Sequence, residues 1–107
     1  MHQFTVYKTD TCPYCTQAKG FLDALKAQRE DVAVTYVDAN QDPGKYRSMA
    51  KRMGTSTVPQ IFVNQQHIGG WDQLARAAGS GRLDEFLATG VWPEPVKKKR
   101  WLRRLFG

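Results

Sequence analysis

The 107-residue chain predicts an α/β domain in which a small mixed, four-stranded sheet lies between helices. Three observations carry this. Short β-rich stretches alternate with segments of helical apolar spacing up to about residue 53. Two short apolar runs, separated by a polar pair, follow at 61–68. The chain's two cysteines, in "TCPYC", stand where the first strand gives way to the first helix.

Each element has its own signal. In "QFTVYK", Phe4 and Val6 alternate with Thr5 and Tyr7, the period of a half-buried strand. Thr11 is an expected N-cap, and Pro13 falls in the first helical turn, where a missing N–H costs least. Ala18, Phe21, Leu22 and Leu25 then recur at helical spacing, predicting a helix over 13–28. "VAVTYVD" reads as a second strand, and the crossover between the two makes a βαβ unit with parallel strands. Asp42 and Pro43 open a second helix carrying Tyr46, Met49, Ala50 and Met53, with Gly54 as its stop. "VPQIFVNQQHIGG" predicts an antiparallel hairpin turning at Asn64–Gln65. "WDQLARAAG" and "GRLDEFLATG" predict two further helices, the latter with Leu83, Phe86 and Leu87 on one face. "WPEP" is stiff and polar and sets the expected domain edge near residue 92. The order is β-α-β-α-β-β-α-α.

Charge divides the chain in the same place. Residues 93–107 carry six basic side chains against Glu94 alone, whereas 1–92 hold ten basic and nine acidic ones. The basic balance therefore belongs to an appendage and not to a nucleic-acid-binding body. On a helix, "VKKKRWLRRLFG" would gather Trp101, Leu102, Leu105 and Phe106 on one face with arginines off it, the pattern of a segment suited to an anionic membrane surface over 97–106. A phosphate backbone or an acidic protein would suit the same charges, and a solvated tail is the plain alternative. No run is long enough to cross a bilayer and "MHQFTVYK" lacks the order of a signal peptide. A cytoplasmic location is expected, where a close cysteine pair is more often catalytic or metal-binding than structural.

Cys12 and Cys15 could hold a metal, staple a loop or exchange electrons. A staple would close only a tiny loop in a reducing compartment. Zinc needs two further ligands, and His2 and His67, the two histidines, have no matching spacing. Electron exchange has a mechanism. At a helix start, unpaired N–H groups and the positive end of the dipole stabilise a thiolate, and a cysteine one turn on can attack a disulfide formed there. A cluster held by thiolates from two chains is the remaining alternative.

"TCPYC", "TVPQIFVN" and "HIGGWD" stand in the order and spacing of dithiol glutaredoxins, and the chain resembles that family over about residues 3–89. The resemblance implies a thioredoxin-like fold and glutathione-dependent reduction of protein–glutathione mixed disulfides and protein disulfides. Glutathione is then a co-substrate and no cofactor is bound; separately from the resemblance, a monomer is expected. Cys12 is the implied attacking thiolate and Cys15 the resolving thiol. Val58–Pro59 is implied to be a cis peptide facing them. Tyr14, Thr57 and Val58 would line the glutathione groove, with Gly69, Gly70, Trp71 and Asp72 at its γ-glutamyl end. Physical chemistry agrees: an extended peptide can pair with the Val58 backbone, paired glycines let a ligand approach closely, and a helix start offers N–H groups to a carboxylate. "GGWD" read alone is only a turn and cap.

Two positions depart from the family pattern. Thr9 stands where a basic residue is usual, and Lys8 lies one place off, where strand alternation turns it to the other face. Gln60, Arg47, Lys51 or Arg52 are candidates to replace it at the glutathione carboxylate. Trp71 is larger than the residue commonly found after the glycines. Both departures favour, mildly, an electron donor reduced by a flavin reductase. His67 reads as a packing or surface residue, and Asp38, Asp42, Asp84 and Glu85 as caps and solvated helix ends.

Overall fold

A computed structural model describes residues 2–92 of the chain. The expected order is observed: β1 (His2–Lys8), α1 (Pro13–Gln28), β2 (Val32–Asp38), α2 (Pro43–Met53), β3 (Gln60–Val63), β4 (Gln66–Gly69), α3 (Trp71–Ser80) and α4 (Arg82–Thr89). The basic segment 97–106 lies outside the described residues.

The four strands form one mixed sheet in the order β2-β1-β3-β4. β1 is parallel to β2, as a crossover helix requires, and antiparallel to β3. The register sets Phe4 opposite Val63 and Val6 opposite Ile61. All four side chains reach one face of the sheet and are buried there with Ala18 and Leu22 of α1, Leu74 and Ala77 of α3, and Leu83 and Phe86 of α4. Thr5, Tyr7 and Phe62 take the other pleat, where the Arg52 guanidinium of α2 lies 5.5 Å from the centre of the Phe62 ring. Asn64 and Gln65 both adopt positive φ, 48° and 72°, so the hairpin turns as a two-residue loop of the primed kind even without a glycine. Gly54 ends α2 in the left-handed region at φ 70°.

Three local expectations need correcting or refining. Cys12, not Thr11, is the N-cap of α1: its backbone is extended and its sulfur accepts the Cys15 N–H. Pro13 at the first helical position sets the start one residue later than Thr11 would. Asp42 does cap α2, accepting from the Lys45 N–H. Asp38 is no solvated helix end; its side chain is 6% exposed, accepts the Asn40 and Gln41 N–H groups, and pairs with Lys8 Nζ at 3.1 Å. Trp92 is buried as well, its ring 5.5 Å from that of Phe86, and so belongs to the core.

Candidate active site

The site begins where β1 hands over to α1. Cys12 is partly exposed and Cys15, one turn into the helix, is 2% exposed. The Cys15 N–H donates to Cys12 Sγ at 3.2 Å, so the helix start directs backbone hydrogen toward that sulfur. Protonated, Cys12 donates instead to the Val58 carbonyl, 3.6 Å away. Burial, reinforced by its contact with Cys12, pushes the Cys15 thiol up to about 12. Of the pair, one sulfur is open to attack a substrate and the other is held back as a neutral thiol.

The Val58–Pro59 peptide is cis. The loop leading to it is tied down at several points. Tyr46 of α2 donates to the Ser56 carbonyl. Thr57 N–H donates to Thr55 Oγ1, and the Gln60 amide donates to both the carbonyl and the hydroxyl of Thr57, at 2.9 Å each. Beside this loop opens a groove of about 640 Å³, lined by Tyr14, Thr57, Val58, Pro59, Gly70 and Trp71 and extended by Thr55, Gln60, His67, Gly69, Asp72 and Gln73.

The far wall of the groove is the start of α3. Gly70 is its N-cap, and the Gln73 side chain reaches back to accept the Gly70 N–H at 2.8 Å. A side chain at Gly70 would meet the Pro59 carbonyl at 3.3 Å, and one at Gly69, where φ is 118°, would meet Gln73 Cγ at 2.7 Å. The two glycines let the chain pass close under the loop and place the first N–H groups of α3 at the groove. Trp71 is half-buried, edge-on to Phe21 of α1 with ring centres 6.1 Å apart, so it joins the core while lining the groove. Asp72 is exposed and pairs with Arg76.

The groove thus gathers Tyr14, Thr57, Val58, Pro59, Gly70, Trp71 and Asp72 beside Cys12. It does not include Lys8, which is bound by Asp38 and Asp10. Arg47, Lys51 and Arg52 do not line it either. Gln60 does, but its amide is committed to Thr57 and to His67. Sequence reasoning missed Gln73, whose place three residues after the cap is a readable capping signal. It also missed the groove position of His67, for which no sequence signal exists.

Comparison with known proteins agrees with this architecture. A family model described as Glutaredoxin matches residues 4–68. Glutaredoxin 3 of Escherichia coli (strain K12) is 39% identical over 87 residues, covering 81% of this chain and 99% of that protein. Glutaredoxin 1 of Rickettsia prowazekii (strain Madrid E) is 37% identical over 87 residues, covering 81% of this chain and 88% of its own. The structure of reduced Escherichia coli glutaredoxin superposes with a TM-score of 0.64 at 37% identity, covering 77% of this chain and 98% of that one. A close cysteine pair at a helix start, set on a mixed four-stranded sheet with these relatives, means that the chain belongs to the glutaredoxin family and is a thiol–disulfide oxidoreductase of thioredoxin-like fold.

Proposed function

We propose that the protein reduces protein–glutathione mixed disulfides, and protein disulfides, with glutathione as the electron donor. The observation that carries this is the groove running from the partly exposed Cys12 to the start of α3. Its chemistry suits a short extended peptide with a carboxylate at the α3 end and a sulfur beside Cys12. The Val58 backbone supports strand-like pairing with the peptide, beside Cys12. The N–H groups of Trp71 and Asp72 suit a carboxylate, and the Asp72 side chain an ammonium group.

In the proposed cycle the Cys12 thiolate attacks the glutathione sulfur of a mixed disulfide. A Cys12–glutathione disulfide forms, and the substrate leaves as a thiolate that takes a proton from water. A glutathione thiolate then attacks the bound glutathione sulfur, releasing glutathione disulfide and the Cys12 thiolate. With a protein disulfide, Cys12 forms a mixed disulfide with the substrate. Cys15 loses its proton and attacks Cys12, releasing the substrate dithiol, and two glutathiones reduce the resulting Cys12–Cys15 disulfide. Lys8 has no part in this scheme, because Asp38 and Asp10 hold it.

Among the described residues neither lysine nor arginine lines the groove, which favours a second reading, in which a flavin reductase supplies the electrons. One assay separates the two: turnover of a glutathionylated peptide with glutathione, against turnover of a protein disulfide with a flavin reductase. The first is expected to run. A wild-type protein that ignores glutathione and accepts only reductase electrons overturns the proposal. We further propose that residues 1–92 carry this chemistry as a monomer and that 93–107 add an affinity for anionic surfaces.

A further inference from the structure

Gln60 is 6% exposed, yet it carries a polar amide in the middle of β3's start. Its hydrogen bonds tie the groove loop to β3 and β3 to β4. Its nitrogen lies 2.9 Å from the Thr57 carbonyl, which can only accept, so the NH₂ end must face Thr57. The oxygen end therefore faces His67, whose Nε2 lies 2.6 Å away and must carry the proton. The direction of the relay follows: His67 Nε2–H to Gln60 Oε1, and Gln60 NH₂ to the carbonyl and hydroxyl of Thr57. The next residue along is Val58, whose carbonyl receives the Cys12 thiol. His67 is itself steadied by the Phe62 ring, with centres 5.0 Å apart.

We propose that Gln60 and His67 are positioning residues for the thiol–disulfide reaction. Together they fix the Thr57–Val58 backbone edge against which the sulfur-bearing substrate lies before Cys12 attacks. Neither touches the reacting sulfur. Gln60 acts through Thr57, and His67 acts through Gln60 by holding its amide in the one orientation that serves Thr57. Cutting the relay removes the side-chain bonds that tie Thr57 to β3, which is why the loop should shift. Desolvation lowers the His67 pKa and so favours the neutral ring, whose Nε2–H tautomer is the one that donates to Gln60.

The inference rests on the groove being the substrate site, and its test separates the two claims. KM and kcat for a glutathionylated peptide are measured for wild type, Gln60→Leu, His67→Ala and His67→Gln. The rate of Cys12 alkylation by iodoacetamide is followed against pH for each. Gln60→Leu should raise KM about tenfold with kcat within about twofold. His67→Ala should raise KM about threefold, and His67→Gln, which keeps an N–H donor, should recover most of that loss. The alkylation profile of Cys12 should stay put throughout. KM unchanged in both Gln60→Leu and His67→Ala overturns the proposal. So does a Gln60→Leu protein in which kcat and the alkylation profile move as far as KM, since that marks general loosening. If Gln60→Leu does not fold, the exposed His67 decides: an unaltered KM in His67→Ala overturns the relay. A wild type inactive on the glutathionylated peptide but active on a plain protein disulfide fails the proposed function alone, and the same variants are then read on that disulfide.

Discussion

The division of labour proposed for Cys12 and Cys15 rests on where each sulfur sits. Cys12 is at the N-cap with a backbone N–H aimed at it, and Cys15 is buried, with its thiol pushed up to about 12. In the fully reduced protein at pH 7, brief treatment with iodoacetamide should therefore label Cys12 at least about tenfold faster than Cys15, as read by mass spectrometry of tryptic peptides. Equal labelling would remove the physical basis for assigning the roles. Serine is a good N-cap, so Cys12→Ser should keep its fold, with a thermal midpoint near wild type, while losing all measurable turnover. Cys15→Ser should retain glutathione-driven turnover of a glutathionylated peptide and lose the route through the Cys12–Cys15 disulfide. Activity in Cys12→Ser would mean that the wrong sulfur has been named.

At the level of elements, the site is two helix starts facing one loop. α1 brings the sulfur, α3 brings the N–H groups, and the run from Thr55 to Pro59 lies between them. Gly69 joins β4 to the second of these helix starts at a φ of 118°, with Gln73 packed over it. Gly69→Ala should cost about 1–3 kcal/mol of stability through backbone strain and displacement of Gln73, and should raise KM as well. Gly20 is the control. It lies inside α1 with nothing within 4 Å of an added methyl, so Gly20→Ala should stabilise by about 0.5–1 kcal/mol without altering turnover. Denaturant melts of the two variants settle both signs.

Over the whole molecule, one acidic group links the strands to the crossover loop. The Asn40 N–H foremost, with the Lys8 ammonium, draws the Asp38 carboxyl down to about 2. Because this value lies below that of an unfolded aspartate, Asp38 contributes stability above about pH 4 that is lost as pH falls toward 2. Asp38→Asn should flatten the loss of stability over that interval, as measured by urea midpoints at several pH values. An unchanged slope would place the acid sensitivity in Asp23 and Asp31, whose carboxyls are also held low by Lys19 and Arg29. Removing residues 93–107 should leave KM and kcat as they are and remove any binding to anionic vesicles, since the body is close to neutral. Loss of catalysis in a folded 1–92 protein would show that the boundary near Trp92 is misplaced.

Much of this was written locally in the chain. The alternation of Phe4 and Val6, the spacing of Ala18, Leu22 and Leu25, and the caps at Asp42 and Gly54 set the elements, because periodicity and capping are short-range effects. The motif "TCPYC" between strand and helix was enough to assign redox chemistry. What local pattern could not decide was anything needing two distant segments at once. Sequence left Lys8 a candidate for the groove; only the tertiary structure tied it to Asp38, thirty residues on. Asp38 read as solvated, and pairing with β1 buried it. Gln60 reads as a possible ligand contact and His67 as a packing or surface residue; the hairpin brings them together behind Thr57. The sequence by itself determined the order of elements and the redox-active cysteine pair. The tertiary structure decided which polar side chains are free to meet a substrate and which are spent on one another, because hydrogen-bond partners and burial depend on contacts between segments far apart in the chain.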